Sequence, residues 1–406
     1  MGISEGYGIG SLKPGVCTSS TRPASPFDGQ VVYMTDVDQT AIWDGSAWVG
    51  LDPSRDRNVV INGAMQIAQR GTSTAGITGD GFHTADRFKT ACSGMGTFTQ
   101  SIENDAPTGS GFRKSLKMLC TTADASPSGT DNLAMYQSFE GQNVQQFLKG
   151  TASAKSFAVS FWVKSNVTGT YIAELFDTDN NRQTSISYTI NVSATWEKKT
   201  IIFASDTTGA FDNDNAASLQ ILFWLGAGPS LQSGTLQTTW ASATNAYRAV
   251  GQTNLASAIN NAWQITGVQL EVGAVATPFE FEDIGETLAK CQRYFQKSYS
   301  VNVAPATNAS QAGLVVGGTQ SVPNNGLISN PRFHVSMRTA PTITIYSYTS
   351  SQLSRVSDAY NGIDQSTGTV TTAYAGDNSF MVYNTSGITL TSTLGLMHHY
   401  TASAEL

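Results

Sequence analysis

Charged residues are scarce in this sequence. Asp, Glu, Lys and Arg make up 13% of its 406 residues, against roughly 25% in typical globular proteins. The formal net charge is −7, and Lys and Arg do not cluster along the chain. Because nucleic acids and anionic membranes both attract concentrated positive charge, we expect neither a nucleic-acid partner nor membrane insertion.

Clustered cysteines and long apolar runs are also absent. The four cysteines, Cys17, Cys92, Cys120 and Cys291, lie far apart and form no C-x-x-C pair. This spacing excludes the common zinc-site pattern and a dense disulfide framework, so we expect buried thiols. No apolar run is long enough to span a membrane, and the start MGISEGYGIG lacks the features of a signal peptide. We therefore expect synthesis in a cytoplasm.

Common catalytic motifs are missing as well. The sequence has no G-x-S-x-G, no H-E-x-x-H and no P-loop, and no acidic pair stands out as a glycosidase dyad. The adjacent His398 and His399 fall in a predicted strand, so alternation sends them to opposite faces and they do not form a shared metal site. We expect a protein that is not an enzyme and has no organic cofactor.

Signals for α-helix are confined to one stretch, TPFEFEDIGETLAKCQRYFQKSY. Asp283 followed by Glu286 is a capping-box pattern that predicts a helix start. An apolar stripe at helical spacing predicts docking against a core, formed by Ile284, Leu288, Cys291 and Phe295. We expect a connector helix over 283–299.

The rest of the chain predicts β-structure, and hence an all-β fold. Residues 58–282 contain alternating apolar runs, such as FAVSFWV and LQILFWL, separated by turn residues, which is typical of an antiparallel β-sandwich or jelly roll. Residues 300–406 predict a second, C-terminal β-sandwich domain.

A small unit precedes the sandwich. Residues 1–51 predict a β-module with a hairpin turn at Asp44 and Gly45, followed by a polar linker over 52–57. A few short strands do not support an independent fold. We expect this module to complete its core against copies of itself or a neighbouring protein.

Aromatic residues in turn-rich segments are the best candidates for ligand binding, although core packing explains most aromatics. The long polar segment 357–378 is where we expect a binding loop. The candidate ligand-binding residues are Tyr360, Tyr374, Tyr383, Trp240 and Tyr247.

One acidic cluster offers hard oxygen ligands for a metal ion. Asp177, Asp179 and Asn181 lie in a D-x-D-N-N pattern and present the donor atoms that Ca²⁺ prefers. The glycine and distal glutamate of an EF-hand are missing. The alternative is a solvated turn whose side chains cap the backbone.

Several blocks resemble bacteriophage tail-fibre and receptor-binding proteins. They are NVVINGAMQIAQRGTS, FAVSFWVKSNVTGTY, TWEKKTIIF, ITGVQLEVGAVATPFE and LAKCQRYFQKSY, in the order of that family. The likeness covers about residues 58–299 and implies a jelly-roll, carbohydrate-binding-like domain followed by a short helix. The unit at residues 22–51 looks like a module near the N-termini of phage fibre proteins, and the closing HYTASAEL is similar to fibre C-termini.

The resemblance implies a structural virion protein, a tail fibre that mediates attachment to the host cell through a surface glycan such as lipopolysaccharide. Residues 1–51 would dock on other tail or head proteins, and residues 300–406 would form the receptor-binding tip. Low surface charge and the small N-terminal module favour a homotrimer. Two alternatives are a glycan depolymerase, weakened by the lack of β-helix periodicity, and a passive head or tail decoration protein.

Overall fold

The chain folds almost entirely into β-sheets, which confirms the all-β prediction. A computed structural model describes residues 14–37, 39–51, 56–317, 326–358, 364, 370–385 and 395–406. In this part of the chain the one α-helix is α1 (Ile284–Gln292). Among the same residues no helix has the length and apolar character needed to cross a bilayer.

The N-terminal module is a four-stranded sheet with its strands in sequence order. The strands are β1 (Gly15–Cys17), β2 (Val31–Met34), β3 (Gln39–Trp43) and β4 (Trp48–Gly50). The predicted hairpin turn lies between β3 and β4. The Asp44 carboxylate accepts the backbone N–H groups of Ser46 and Ala47, each at 2.8 Å, and Gly45 takes the positive φ of 98° that this turn requires.

This small sheet packs against the β-sandwich domain of the same chain. Its buried cluster of Val32, Met34 and Ala41 includes Val275 from the sandwich. The Gly50 N–H donates to the Ala276 carbonyl at 3.1 Å. The module therefore draws part of its core from the same chain, a source that the sequence-based prediction of copies or a neighbouring protein does not include.

Two antiparallel sheets form the sandwich. In chain order its strands are β5 (Ser73–Ile77), β6 (Gly81–Phe82), β7 (Lys89–Ser93), β8 (Thr97–Glu103), β9 (Ser115–Thr122), β10 (Asn132–Glu140), β11 (Phe157–Ser165), β12 (Gly169–Asp177), β13 (Arg182–Ile190), β14 (Glu197–Phe203), β15 (Ala217–Ala227), β16 (Ala241–Ser242) and β17 (Ala262–Val272). The first sheet runs β16-β13-β12-β15-β10-β7-β6, and the second runs β14-β11-β17-β9-β8-β5.

The core between the sheets has the alternation that the sequence predicts. On β11, Phe157 and Phe161 are fully buried, and so are Ile221 and Phe223 on β15. Burying each such side chain is worth about 2 kcal/mol. Five 3₁₀ turns connect strands within residues 141–257: Gly141–Asn143, Gln145–Phe147, Pro229–Leu231, Asn245–Tyr247 and Leu255–Ser257.

Helix α1 begins as predicted but ends early. Its N-cap is Asp283, whose carboxylate accepts the Gly285 N–H at 2.8 Å. The helix stops at Gln292, and the chain continues as strand β18 (Phe295–Lys297). The predicted helix over 283–299 is therefore wrong at its C-terminal end, because Phe295 pairs in a sheet with Ser403. Ile284 is 52% exposed, so the predicted apolar stripe is not buried along its whole length.

The C-terminal domain is built around its last strand. In chain order its strands are β19 (Val315–Gly317), β20 (Leu327–Ser329), β21 (Thr342–Ser347), β22 (Ser357–Asp358), β23 (Val370–Ala373), β24 (Met381–Asn384) and β25 (Leu396–Ser403). Strand β25 pairs with β18 and β19 on one side and with β21 and β22 on the other. Strands β20, β24 and β23 form a separate sheet. Within this domain, Phe380 stacks edge-on against Tyr400 at 5.0 Å.

Buried charges join this domain to the sandwich. Glu140, at the end of β10, accepts two hydrogen bonds from Arg293 at 2.8 and 2.7 Å and one from the Tyr294 hydroxyl. The Arg87 guanidinium lies 3.4 Å from the centre of the Tyr294 ring and pairs with Glu405. In each pair, the carboxylate and its cation come from segments far apart in sequence. These contacts therefore form only when the domains are docked.

We predict that Glu140→Gln lowers the free energy of unfolding by about 3 kcal/mol, because it leaves Arg293 without its buried carboxylate. Burial raises the pKa of Glu140, but the hydrogen bonds from Arg293 and Tyr294 outweigh burial and hold it below its usual value. The pair therefore stabilises the fold above the unfolded-state pKa and loses this effect as pH falls through the lower folded-state pKa. Denaturant titrations at several pH values should show a shallower loss of stability on acidification in the variant.

The matched control is Glu103→Gln, which removes a half-exposed carboxylate 3.9 Å from Lys117. A pair of this kind is worth less than about 1 kcal/mol. Equal losses of stability in the two variants would contradict the role assigned to Glu140.

Candidate functional site

The outer face of the seven-stranded sheet is partly covered and partly open. On β10 the side chains of Met135 and Phe139 enter the core between the sheets, while Ala134 points outward. Residues 229–249 cover one part of this outer face, where Leu231 belongs to one buried cluster with Ala134 and Trp224. By alternation Tyr136 shares the outer face with Ala134 but lies beyond this cover and is half-buried.

A row of side chains crosses five strands on this face. Strand register places Phe82 opposite Lys89, Lys89 opposite Tyr136, Tyr136 opposite Leu222, and Leu222 opposite Glu174. These five residues are here named the outer row. Phe82, Lys89 and Tyr136 are half-buried, whereas Leu222 and Glu174 are buried. The open end of the row is therefore aromatic and cationic.

Lys89 lies between two aromatic rings. Its ammonium is 5.7 Å from the Phe82 ring centre and 5.6 Å from the Tyr136 ring centre. Among the residues that the structure describes, no carboxylate lies within ion-pair distance of Lys89, and the Tyr136 hydroxyl makes no hydrogen bond. Both groups are therefore available to donate to a ligand.

The other end of the row is closed by an ion pair. Glu174 accepts the Trp224 indole N–H at 2.7 Å and the Arg248 Nε–H at 2.9 Å. Burial raises the pKa of Glu174, and the Arg248 charge opposes this rise. The Arg248 guanidinium also lies 4.9 Å from the centre of the half-buried Phe176 ring. Arg248 thereby holds residues 229–249 against the sheet and flanks an aromatic surface.

Beside the outer row, Gln220 donates to the Ser138 hydroxyl at 3.1 Å. The strand register places Gln220 opposite both Ser138 and Phe176. Together with Lys89 and Tyr136, these side chains present half-buried rings next to hydroxyl, amide and ammonium groups. Flat apolar faces bordered by hydrogen-bonding groups suit a sugar ring, which has both C–H faces and hydroxyls.

Two of the residues that the sequence predicts, Trp240 and Tyr247, lie within residues 229–249. Trp240 is half-buried, packs 5.7 Å from the Phe157 ring and donates its indole N–H to the Ala204 carbonyl at 2.9 Å. Tyr247 is 38% exposed, in the turn Asn245–Tyr247. The structure thus gives Trp240 a packing partner and leaves Tyr247 partly accessible.

The C-terminal domain brings two of the predicted tyrosines together. Tyr374 is 80% exposed and has the unusual φ of 52°, and its ring centre lies 6.3 Å from that of Tyr383. Tyr360 lies outside the described residues. Ser357 and Asp358 at the start of the predicted binding loop are buried in β22, so the described part of that segment is only partly exposed.

The acidic cluster at the turn from β12 to β13 is satisfied by protein donors. Asp177 is fully buried and accepts hydrogen bonds from Lys149, from the Asn180 amide and from the backbone N–H groups of Asp179 and Asn180. Asn181 has a turn conformation with φ of 49°. The calcium ion predicted for Asp177, Asp179 and Asn181 gains no support from these contacts. Within the described ranges no group of three or more His, Cys, Asp and Glu is arranged to hold a metal ion.

Two buried serine–histidine contacts occur on β25. His398 is 2.8 Å from the Ser329 hydroxyl, and His399 is 2.8 Å from the Ser298 hydroxyl. The different partners confirm that the adjacent histidines point to opposite faces. Burial lowers the pKa of His398 to about 4. Both histidines are fully buried, Ser329 is buried and Ser298 is half-buried, so these contacts hold β25 against its neighbouring segments.

Sequence reasoning missed the outer row. The signal that could have found it is the alternation in NLAMYQSFE, which sets Tyr136 on the face opposite to Met135 and Phe139. Lys89 and Phe82, however, join the row only through pairing of β6, β7 and β10. The sequence does not reveal this pairing.

No family model matches this sequence, and no curated protein matches it. Solved structures with similar folds include the enzymatically active domain of bacteriophage CBA120 tailspike protein 4, at 15% identity and a TM-score of 0.30 over 57% of this chain and 24% of that chain. Another is the family 11 carbohydrate-binding module from Clostridium thermocellum in complex with a mixed-linked tetrasaccharide, at 11% identity and a TM-score of 0.25 over 51% of this chain and 98% of that module.

A third is the CBM22-1 xylan-binding domain from Paenibacillus barcinonensis Xyn10C, at 10% identity and a TM-score of 0.25 over 54% of this chain and 96% of that domain. This chain spans only about a quarter of the tailspike chain that it matches. TM-scores this low carry no weight for function.

We predict that Arg248→Gln destabilises the protein by about 3 kcal/mol, because it leaves the fully buried Glu174 without its cation. Hydrogen exchange should show faster exchange over residues 229–249 than in the parent protein. Arg113→Gln is the control, since Arg113 is exposed and forms no ion pair with a described residue. Unchanged exchange over residues 229–249 in the Arg248 variant would refute its role in holding that segment.

Proposed function

We propose that this chain is a structural virion protein, a tail fibre that attaches a phage to its host by binding a cell-surface glycan. The observation that carries the binding proposal is the Lys89 ammonium, which lies between the half-buried rings of Phe82 and Tyr136 without a carboxylate partner among the described residues. The assignment to a virion is supported by the sequence blocks that resemble phage fibre proteins. In this proposal residues 1–51 dock on other tail or head proteins.

The chemical groups along and beside the outer row fit a sugar. A sugar ring stacks its C–H face on an aromatic ring, and its hydroxyls accept from Lys89 and exchange hydrogen bonds with Tyr136 and Gln220. A single shallow site of this kind binds with about −4 kcal/mol, near millimolar. Several copies on one particle raise the overall strength by avidity. Weak single sites are therefore compatible with firm adsorption.

The open aromatic row supports a binder, in preference to a depolymerase. The Ser329–His398 contact on β25 is buried and does not present its serine to a polysaccharide. Incubation of the protein with host polysaccharide should release no new reducing ends. Release of reducing ends would contradict the proposed binder and indicate a depolymerase.

We predict that Tyr136→Ala reduces binding to host lipopolysaccharide at least tenfold, because it removes both the stacking ring and a hydroxyl donor. Because Tyr136 is only half-buried, the fold should tolerate the change. The midpoint temperature of thermal unfolding should shift by only a few degrees. Binding is measured by surface plasmon resonance on immobilised lipopolysaccharide and by adsorption of the protein to host cells.

The comparison variant is Tyr374→Ala in the C-terminal domain, where the exposed pair of Tyr374 and Tyr383 forms the second candidate surface. Loss of binding in Tyr136→Ala with retention in Tyr374→Ala supports the outer row. The opposite pattern would move receptor binding to the C-terminal tip. Full binding in both variants would contradict both surfaces.

We also propose that the chain forms a homotrimer, because its low charge and its small N-terminal sheet favour assembly. That sheet leaves Val16 71% and Phe27 68% exposed, and apolar side chains of this size are commonly covered in assemblies. Sedimentation of the full chain at micromolar concentration should give three times the monomer mass. A stable monomer would contradict the trimer.

A further inference from the structure

A second concave site lies where the sandwich meets helix α1. The cavity has a volume of about 760 Å³, within the roughly 300–1,000 Å³ that is usual for small-ligand sites. Its walls are the chain entering the sandwich at residues 56–61, the two 3₁₀ turns after β10, the end of β17 and the last turn of α1. Among the described residues, no member of the outer row and no predicted binding residue lines this cavity.

The positive charges in the wall are already neutralised. Arg293 pairs with Glu140 at 2.7 Å, and Lys290 lies 3.3 Å from Asp56. Arg57 lies 3.5 Å from Glu271. Because each cation has a carboxylate beside it, an anionic ligand would gain little and would have to compete with these pairs. The cavity therefore favours a ligand without net charge.

The remaining polar groups are amides. The side chains of Asn143 and Gln146 are exposed in the cavity wall and make no hydrogen bond to any described residue. Gln142 uses its amide N–H on Glu140 at 2.6 Å, which leaves its carbonyl oxygen as an acceptor. An amide both donates and accepts, as a sugar hydroxyl does.

An apolar wall complements these amides. Val59, Ile61 and Val272 line the cavity and are each half-buried. Tyr294 also borders it, but its side chain is 1% exposed and offers almost no stacking surface. Aliphatic side chains beside amides can accommodate the C–H groups and the hydroxyls of one or two sugar units.

We propose that this cavity binds a neutral mono- or disaccharide unit of a glycan, as a subsite additional to the outer row. Glu140, which pairs with the cavity residue Arg293, is the last residue of β10. It lies on the same face of this strand as Tyr136 and four residues from it, which corresponds to about 13 Å along the strand. The proposal rests on the proposed glycan-binding function but uses different residues. Absence of sugar binding in the cavity can therefore be distinguished from absence of glycan binding at the outer row.

The test is saturation-transfer NMR of the full chain with neutral mono- and disaccharides of glucose, galactose, mannose, rhamnose and N-acetylglucosamine. In the Tyr136→Ala background, where the outer row no longer contributes, the double variant N143A/Q146A should lose the sugar signal or weaken binding at least tenfold. Its fold should be unchanged, because both side chains are exposed. Tyr136→Ala should keep this signal, and glucuronic acid should bind no more tightly than glucose.

The cavity proposal is refuted if no neutral sugar gives a signal that the double variant removes in the Tyr136→Ala background, or if glucuronic acid binds at least tenfold more tightly than glucose. If the double variant binds sugars normally in that background while Tyr136→Ala reduces lipopolysaccharide binding, the proposed function stands and the cavity is not a sugar site. If neither lipopolysaccharide nor any sugar binds the parent protein, both proposals are wrong.

Discussion

The docking of the C-terminal domain depends on buried ion pairs that cross its junction with the sandwich. Glu140 from the sandwich meets Arg293 after helix α1, and Arg87 from the sandwich meets Glu405 after β25. An uncompensated buried charge costs several kcal/mol, whereas a hydrophobic contact tolerates a small slip. These pairs therefore fix one arrangement of the two domains. The early end of α1 follows from the same arrangement, since Phe295 must reach β25.

A cation at the same junction is held by backbone carbonyl groups. Lys297 is buried and donates to the carbonyl groups of Gln69, Val301 and Val303. Burial lowers its pKa to about 8. Three carbonyl acceptors thus hold a loop of the C-terminal domain against the sandwich. Charged and polar contacts, in addition to apolar packing, determine how the domains meet.

The low charge of the chain has a consequence for recognition. Many of its cations are used within the fold, such as Lys149 with Asp177 and Arg248 with Glu174. Lys89 differs because it faces two rings and has no carboxylate partner among the described residues. The open surface next to it is made of hydroxyl, amide and aromatic groups. Recognition by such groups is short-ranged and depends on shape and hydrogen bonds more than on long-range attraction.

The sequence by itself determined the all-β class, the alternating core strands, the hairpin at Asp44 and Gly45, and the start of α1 at Asp283. These features depend on residues close together in the chain, through side-chain alternation, turn conformations and capping. Tertiary structure alone decided that Phe295 becomes a strand residue, that Asp177 binds Lys149, and that Phe82, Lys89 and Tyr136 form one row. Each of these outcomes depends on contacts between segments far apart in sequence, whose pairing local patterns do not encode.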